Sequence, residues 1–180
     1  MKVTVRQMAV SGILAAVSLV MGYVPMLGFI PVPTPAGNAT IMHIPAILAG
    51  VAEGPLSGLF VGFIFGLMSL LRTTTPLFAD PLVAILPRLF IGVTAAYTFR
   101  LLRRWGVVPG LIGAGLVGTL TNTVLVLGMA VIRRYMAAKV AIGIALVQGL
   151  PEAVVGAIVV TIVGAALSRA GYLRWGRPAR

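Results

Sequence analysis

The sequence predicts an all-α integral membrane protein, a six-transmembrane-helix bundle forming a single membrane domain over residues 1–180. Three observations carry this. Charged residues make up only 9% of the chain and hydrophobic ones 59%, with a mean hydropathy of +1.09, whereas soluble domains carry about 25% charged residues. Several apolar runs approach the roughly 20 helical residues that cross a hydrocarbon core of about 30 Å. And Gly50, Gly54, Gly58, Gly62 and Gly66 recur every four residues. On a helix, that spacing makes a stripe without side chains, along which another helix backbone can approach closely in a bilayer.

The first span is read at residues 7–24. A basic start (Lys2, Arg6) followed by an apolar run looks like a signal peptide, but no small-residue cleavage pattern precedes Pro25, and further spans follow. Ser11 and Ala15, like Gly12 and Ala16, stand four apart and suit close packing against another helix. Residues 25–40 hold Pro25, Pro31, Pro33 and Pro35 with Gly28 and Gly37. That density of breakers predicts an irregular loop, and its apolar content predicts that it folds over the protein. The second and third spans, residues 41–52 and 56–71, are separated by Gly54-Pro55. Pro55 has no N–H and restricts the residue before it. The fourth span, 81–101, carries Pro87-Arg88; the fifth, 110–132, follows a turn at Gly106 and Pro109. The sixth, 140–167, is expected to break near Gly149-Leu150-Pro151, and residues 168–180 form a basic tail.

Six spans place both termini on one side. That side carries nine Lys and Arg (Lys2, Arg6, Arg100, Arg103, Arg104, Arg169, Arg174, Arg177, Arg180), the other five (Arg72, Arg88, Arg133, Arg134, Lys139). The excess predicts cytoplasmic termini in the plasma membrane. The net charge of +11 is therefore read as contact with lipid headgroups rather than nucleic acid. There is no cysteine, hence no disulfide, thiolate metal site or cysteine nucleophile.

Polar groups within a membrane are costly and call for a partner or a use. Arg88 could grip a carboxylate or phosphate through paired hydrogen bonds, pair internally with Asp80 or Glu152, or snorkel to the headgroups. Asn122 offers donors and an acceptor to a polar small molecule, or a bond between helices. Gln148 and Glu152 share a helix face at the Gly149/Pro151 break, where freed backbone groups are tolerated if they line a cavity or are covered by protein; the alternative is a structural kink with Glu152 neutral or paired with an arginine. His43, the only histidine, stands where a cap or loop anchor competes with a ligand contact. Asn38 and Thr40 could touch a ligand or cap the next helix. Glu53 is expected at headgroup level or against a cytoplasmic partner. A Walker A sequence, Gly-x-Ser-x-Gly and His-Glu-x-x-His are all absent, so the chain is not read as an enzyme, and neither metal nor cofactor is expected.

Several stretches together resemble a known family: Thr40-Ile41-Met42-His43-Ile44-Pro45; Gly54-Pro55 with Gly58 and Gly62-Phe63-Ile64-Phe65-Gly66-Leu67; Gly118-Thr119-Leu120-Thr121-Asn122-Thr123 with Leu125-Val126-Leu127-Gly128; and Gly149-Leu150-Pro151-Glu152-Ala153. They resemble the S component, the substrate-binding membrane subunit, of energy-coupling factor (ECF) vitamin transporters, most nearly its pantothenate-type branch. The resemblance implies a bundle that binds a vitamin or related micronutrient on its outer side, with residues 25–40 as an extracellular lid. It implies delivery with a transmembrane coupling subunit and two cytoplasmic ATPases in a prokaryotic cell membrane. Carried over by position, Arg88, Asn122, Gln148, Glu152, Asn38 and Thr40 would line the pocket, and His43 is kept as a further candidate. Ser11, Gly12, Ala15 and Ala16 would face the coupling subunit, with Ser11 and Gly12 standing where the family has alanine. Gln148 departs from the asparagine of the family pattern. The alternative, a self-sufficient secondary transporter or channel, would need an ion relay or inverted repeat, and the sequence displays neither.

Overall fold

The computed structural model describes residues 4–34, 37–72 and 76–173, with residues 25, 26, 29–34 and 37–39 described through their backbone. Lys2, Pro35, residues 73–75 between the third and fourth spans, and Arg174, Arg177 and Arg180 of the basic tail lie outside the described residues.

Helix α1 (Val5–Tyr23) begins two residues earlier than the sequence suggests because Thr4 and Gln7 form a capping box: the Gln7 amide donates to Thr4 Oγ1 at 3.2 Å, and the Thr4 amide donates to Gln7 Oε1 at 3.0 Å. These bonds satisfy amides that a helix start otherwise leaves unpaired. The expected irregular loop is instead ordered. Pro25–Gly28 makes one helical turn, α2, and Phe29–Thr34 (β1) pairs antiparallel with Gly37–Thr40 (β2). Proline is allowed in the first turn of a helix and in edge strands, so the breakers shape this hairpin rather than prevent it. The register slips between Pro31 and Thr34, a stretch that contains two residues without an N–H.

Helices α3 (Ile44–Glu53) and α4 (Pro55–Leu71) meet at Gly54, whose φ of 106° favours glycine. The fourth span is two helices: α5 (Pro81–Ala84) and α6 (Leu86–Leu102). Pro87 has no N–H to give the carbonyl of Val83, four residues back; the Arg88 guanidinium donates to that carbonyl through Nη1 instead. Helix α7 (Val107–Ile132) starts directly after Gly106, whose φ is 134°. It takes Pro109 into its first turn, where a missing N–H costs nothing, so it is longer than the sequence suggests. The sixth span does not break. Helix α8 (Ala138–Ile144) passes through a π turn (Ala145–Gly149) into α9 (Leu150–Arg169). The wider turn accommodates Pro151 without ending the helix.

Among the described residues, four helical stretches are long and apolar enough to cross a membrane: Val5–Tyr23, Pro81–Trp105, Val107–Ile132 and Ala138–Arg169. Ile44–Glu53 and Pro55–Leu71 are shorter apolar helices. Every residue of α3 is buried, so α3 is the centre of the bundle, whereas large apolar side chains on the other helices point outward.

The glycine stripe works by contact between backbones. A Cβ on Gly58 would lie 2.7 Å from the Gly92 backbone, and one on Gly66 would lie 2.8 Å from Ile85 Cα. A Cβ on Gly62 would collide with the Arg88 carbonyl, and one on Gly50 with that of Gly92. The end of the bundle that carries both chain termini is tied by Arg6. Its Nε donates to Glu53 Oε1 at 3.1 Å, its Nη2 reaches the carbonyls of Gly171 and Tyr172, and its charge lies 5.1 Å from the Tyr172 ring centre. Gln7 Nε2 donates to the Glu53 carbonyl. Glu53 is thus enclosed by this chain's own residues, its side chain only 4% exposed, rather than offered at headgroup level. At the opposite end, Asp80 caps α5 and accepts from Arg133 Nε at 2.6 Å and from Tyr135. The Arg133 hydrogen bond holds the Asp80 carboxyl below the usual carboxylate range.

Gly62→Leu is expected to lower the melting temperature and folded yield of the detergent-purified protein, with a cost of at least the ~1–3 kcal/mol of an overpacked core. Monodispersity on size-exclusion chromatography reads the outcome, and wild-type behaviour would remove the close backbone contact.

Candidate functional site

Beneath the hairpin, a set of buried polar side chains occupies an otherwise apolar interior. Arg88 is 4% exposed, Asn122 6%, Glu152 6%, and His43 and Thr119 are fully buried.

Helical arithmetic places them at similar depth. Helices α6 and α7 run antiparallel through the short turn at 103–106, and a Cβ on Gly118 would touch Ala95 Cβ at 3.3 Å. At about 1.5 Å per residue, Asn122 lies about 6 Å and Arg88 about 10 Å from that level toward the hairpin. Gly156 of α9 packs against Thr119 and His43, so Glu152, one turn closer to the hairpin, lies about 7.5 Å from the same level. The site therefore spans less than 10 Å along the bundle.

Each side chain is held for a local reason. Arg88 follows Pro87, and its Nη1 is engaged by the Val83 carbonyl that Pro87 leaves open. The rings of Phe78 and Phe65 lie 4.9 and 5.5 Å from its charge centre, favourable positions for a cation. Neither expected internal partner is used: Asp80 is bonded to Arg133, and Glu152 to the hairpin. Arg88 also stands inside the bundle, so it does not belong in the outer-side charge count. Glu152 follows Pro151 just as Arg88 follows Pro87. Its Oε1 accepts from the Thr40 amide at 2.8 Å and from Gln148 Nε2 at 3.2 Å. Thr40 Oγ1 in turn donates to the Gly28 carbonyl. Glu152 and Gln148 thereby tie the end of β2 to α9.

His43 does not cap α3 with its side chain; its Nε2 meets Thr119 Oγ1 at 2.8 Å. Asn38 is described by its backbone, opposite Pro31 in the hairpin. Thr40, Gln148 and Glu152 form one network, and His43 lies next to it through Thr119 and Gly156. Arg88 and Asn122 face the same interior from α6 and α7. Arg88 Nε, Asn122 Oδ1 and His43 Nδ1 are buried without a hydrogen-bond partner among the described residues.

Sequence reasoning missed Phe65, Phe78 and Thr119. Phe65 reads as a lipid or core residue until Arg88 is placed beside it. Thr119, three residues before Asn122 and so on the same helix face, could have been found from that spacing. The proposed partner face also divides. Ser11 and Ala15 are buried, together with Ser18 and Gly22, where α1 packs on α3 and α4. Gly12 and Ala16 are exposed, with open space at Gly12.

Fold and site together define a polytopic membrane bundle with a polar cluster enclosed beneath a hairpin. Residues 6–164 match the family model of the ECF transporter substrate-specific component; the chain belongs to this family, whose members are transport components rather than hydrolases. A solved structure, described as that of the S component of a bacterial ECF transporter, shares the fold. It has a TM-score of 0.61 and 22% identity, covering 94% of this chain and 98% of that one. The pantothenic acid transporter PanT of Lactococcus lactis subsp. cremoris (strain MG1363) is 28% identical over 111 residues, which cover 49% of this chain. The chain spans about half the length of that relative, 54%.

Glu152→Ala is expected to release the hairpin from α9. Amide exchange at Thr40, measured by hydrogen–deuterium exchange, should rise at least several-fold; unchanged protection would mean that the hairpin is held elsewhere.

Proposed function

We propose that this chain is the substrate-binding subunit of an ECF-type ATP-driven importer. It captures a small anionic vitamin, pantothenate as the best candidate, from outside the cell. The observation that carries this is Arg88, a buried arginine with no carboxylate partner among the described residues, beneath a hairpin in a chain of this family. Burying a cation is costly, and a ligand carboxylate would compensate it. The likeness to PanT supports pantothenate within that class.

In this reading the bundle of six helical segments is embedded in the plasma membrane of a prokaryote, with the short α3 enclosed at its centre. The Lys and Arg excess keeps both termini cytoplasmic, and the hairpin is the extracellular lid. Glu152 and Gln148 hold the lid closed, Arg88 and Asn122 line the pocket, and Asn38 and Thr40 contribute from the lid. Energy comes from a transmembrane coupling subunit and two cytoplasmic ATPases. The docking face on α1 is the exposed pair Gly12 and Ala16, small enough for a partner helix to approach closely.

A ligand that binds only the folded state raises its melting temperature. Pantothenate is expected to do so in a thermal-shift panel of B vitamins. Arg88→Ala should weaken binding by the ~1.5–3 kcal/mol of a charged hydrogen bond, measured by isothermal titration; unchanged affinity would remove Arg88 from the site. Ala16→Trp should leave ligand affinity intact while lowering uptake in cells that supply the coupling subunit and ATPases. Loss of ligand affinity instead would place that face inside the bundle.

A further inference from the structure

Helices α6 and α7 form a groove on the outside of the bundle, apart from the polar cluster. Phe90 and Thr94 of α6 line it with Val117, Leu120, Thr121 and Val124 of α7, and its volume is about 510 Å³. Its threonines are spent within the wall. The Thr121 hydroxyl donates to the Val117 carbonyl at 2.7 Å and meets the Thr94 hydroxyl at 3.0 Å. Small-molecule pockets add placed polar groups that fix orientation; this groove offers an occupant hydrocarbon.

Charge stands at one end of it. Phe90, Thr94, Tyr97, Leu101 and Arg104 recur at intervals of three and four, which is one face of a helix. Tyr97 and Leu101 are exposed, so this face continues the groove as an apolar track toward the end of the bundle that carries the termini. There Arg104 is exposed, and its charge lies 4.5 Å from the Trp105 ring centre. Cation–ring contact uses no hydrogen-bond donor, so Arg104 keeps its N–H groups for an oxyanion. Tryptophan beside arginine at a helix end is also the composition of a membrane interface.

The length fits a lipid. Arg104 and Phe90 are 14 residues apart, about 21 Å at 1.5 Å per residue. A phospholipid takes up half of a bilayer of ~40–45 Å, roughly 20 Å from headgroup to chain end. A second copy of this chain fits less well. Two-fold related copies meeting along the groove would set Arg104 against Arg104. Helices α6 and α7 hold no carboxylate to separate them, because Glu53, Asp80 and Glu152 stand on other segments and are engaged by Arg6, Arg133 and Thr40.

We propose that the groove and Arg104 form a binding site for an anionic phospholipid. The phosphate lies at Arg104 and Trp105, and one acyl chain runs along Tyr97 and Leu101 into the groove at Thr94 and Phe90. The site requires a membrane but neither the vitamin nor the ATPases. Helix α1, with the proposed partner face, packs on α3 and α4, so lipid and coupling subunit use different helices.

The test titrates the full chain, purified in detergent, with phosphatidylglycerol or phosphatidylcholine of the same palmitoyl-oleoyl chains, and counts bound lipid by native mass spectrometry. Wild type should retain one phosphatidylglycerol at least several-fold more strongly than phosphatidylcholine; equal retention overturns the proposal. Dioctanoyl phosphatidylglycerol should bind more weakly than the long-chain form. Indifference to chain length would mean surface charge alone and overturn the groove. Arg104→Gln should erase the headgroup preference, and Val124→Trp, which fills the groove, should lower retention of both lipids. Wild-type retention in either variant, monodisperse on size-exclusion chromatography, overturns the placement. Leu120→Cys supplies a single thiol, since the chain has no cysteine. Oxidised in phosphatidylglycerol-containing liposomes, it should stay monomeric. An efficient disulfide dimer would put a second copy in the groove and overturn the lipid.

Discussion

The contact between the backbones of α4 and α6 is the constraint on which the rest of this structure depends. Gly58 lies against Gly92, and Gly62 against the Arg88 carbonyl. With no hydrophobic force to drive helices together in lipid, dispersion at this short range is the main source of association. The same contact sets the height and rotation of α6. Arg88 therefore reaches the interior because glycine lets its own backbone approach α4. The position of the charge and the absence of side chains opposite it are two aspects of one packing arrangement.

The polar residues of the site share a second device. Arg88 and Glu152 each follow a proline, and each proline removes a ladder bond from a helix that continues past it. At Pro87 the freed carbonyl is taken by Arg88 itself. At Pro151 the helix widens into a π turn, and Glu152 then turns to the Thr40 amide. Irregular backbone at membrane depth is tolerated where protein covers it, and here it orients the side chains that matter. The interior charges are thus placed by backbone defects, while the apolar residues around them supply only volume.

Much of this was legible in the sequence. The glycine period gave the close helix pair, the Gly54-Pro55 turn fell where expected, and Arg88, Asn122 and Glu152 stood out as polar residues in apolar runs. The helix starts at Val5 and Val107 were read late, because a capping box and a first-turn proline extend helices in ways that hydropathy does not register. The hairpin was missed because proline density reads as an irregular loop, whereas a two-stranded ribbon has only edges and accepts it. The pairing of Arg133 with Asp80 and of Arg6 with Glu53 depends on which loops meet, and no local pattern contains that. For the same reason Ser11 and Ala15 could not be told from Gly12 and Ala16, since rotation of α1 is set by its neighbours.

The Arg6 cluster also bears on biogenesis. Helix α1 is synthesised before the groups that hold it: Arg6 bonds Glu53, which is 47 residues later, and the Tyr172 carbonyl, which is 166 residues later. Until the final helix has been inserted, the first one lacks part of its anchorage at the end that carries the termini. Closing this end of the bundle is therefore a late step in assembly, one that waits on α9 and the residues just after it.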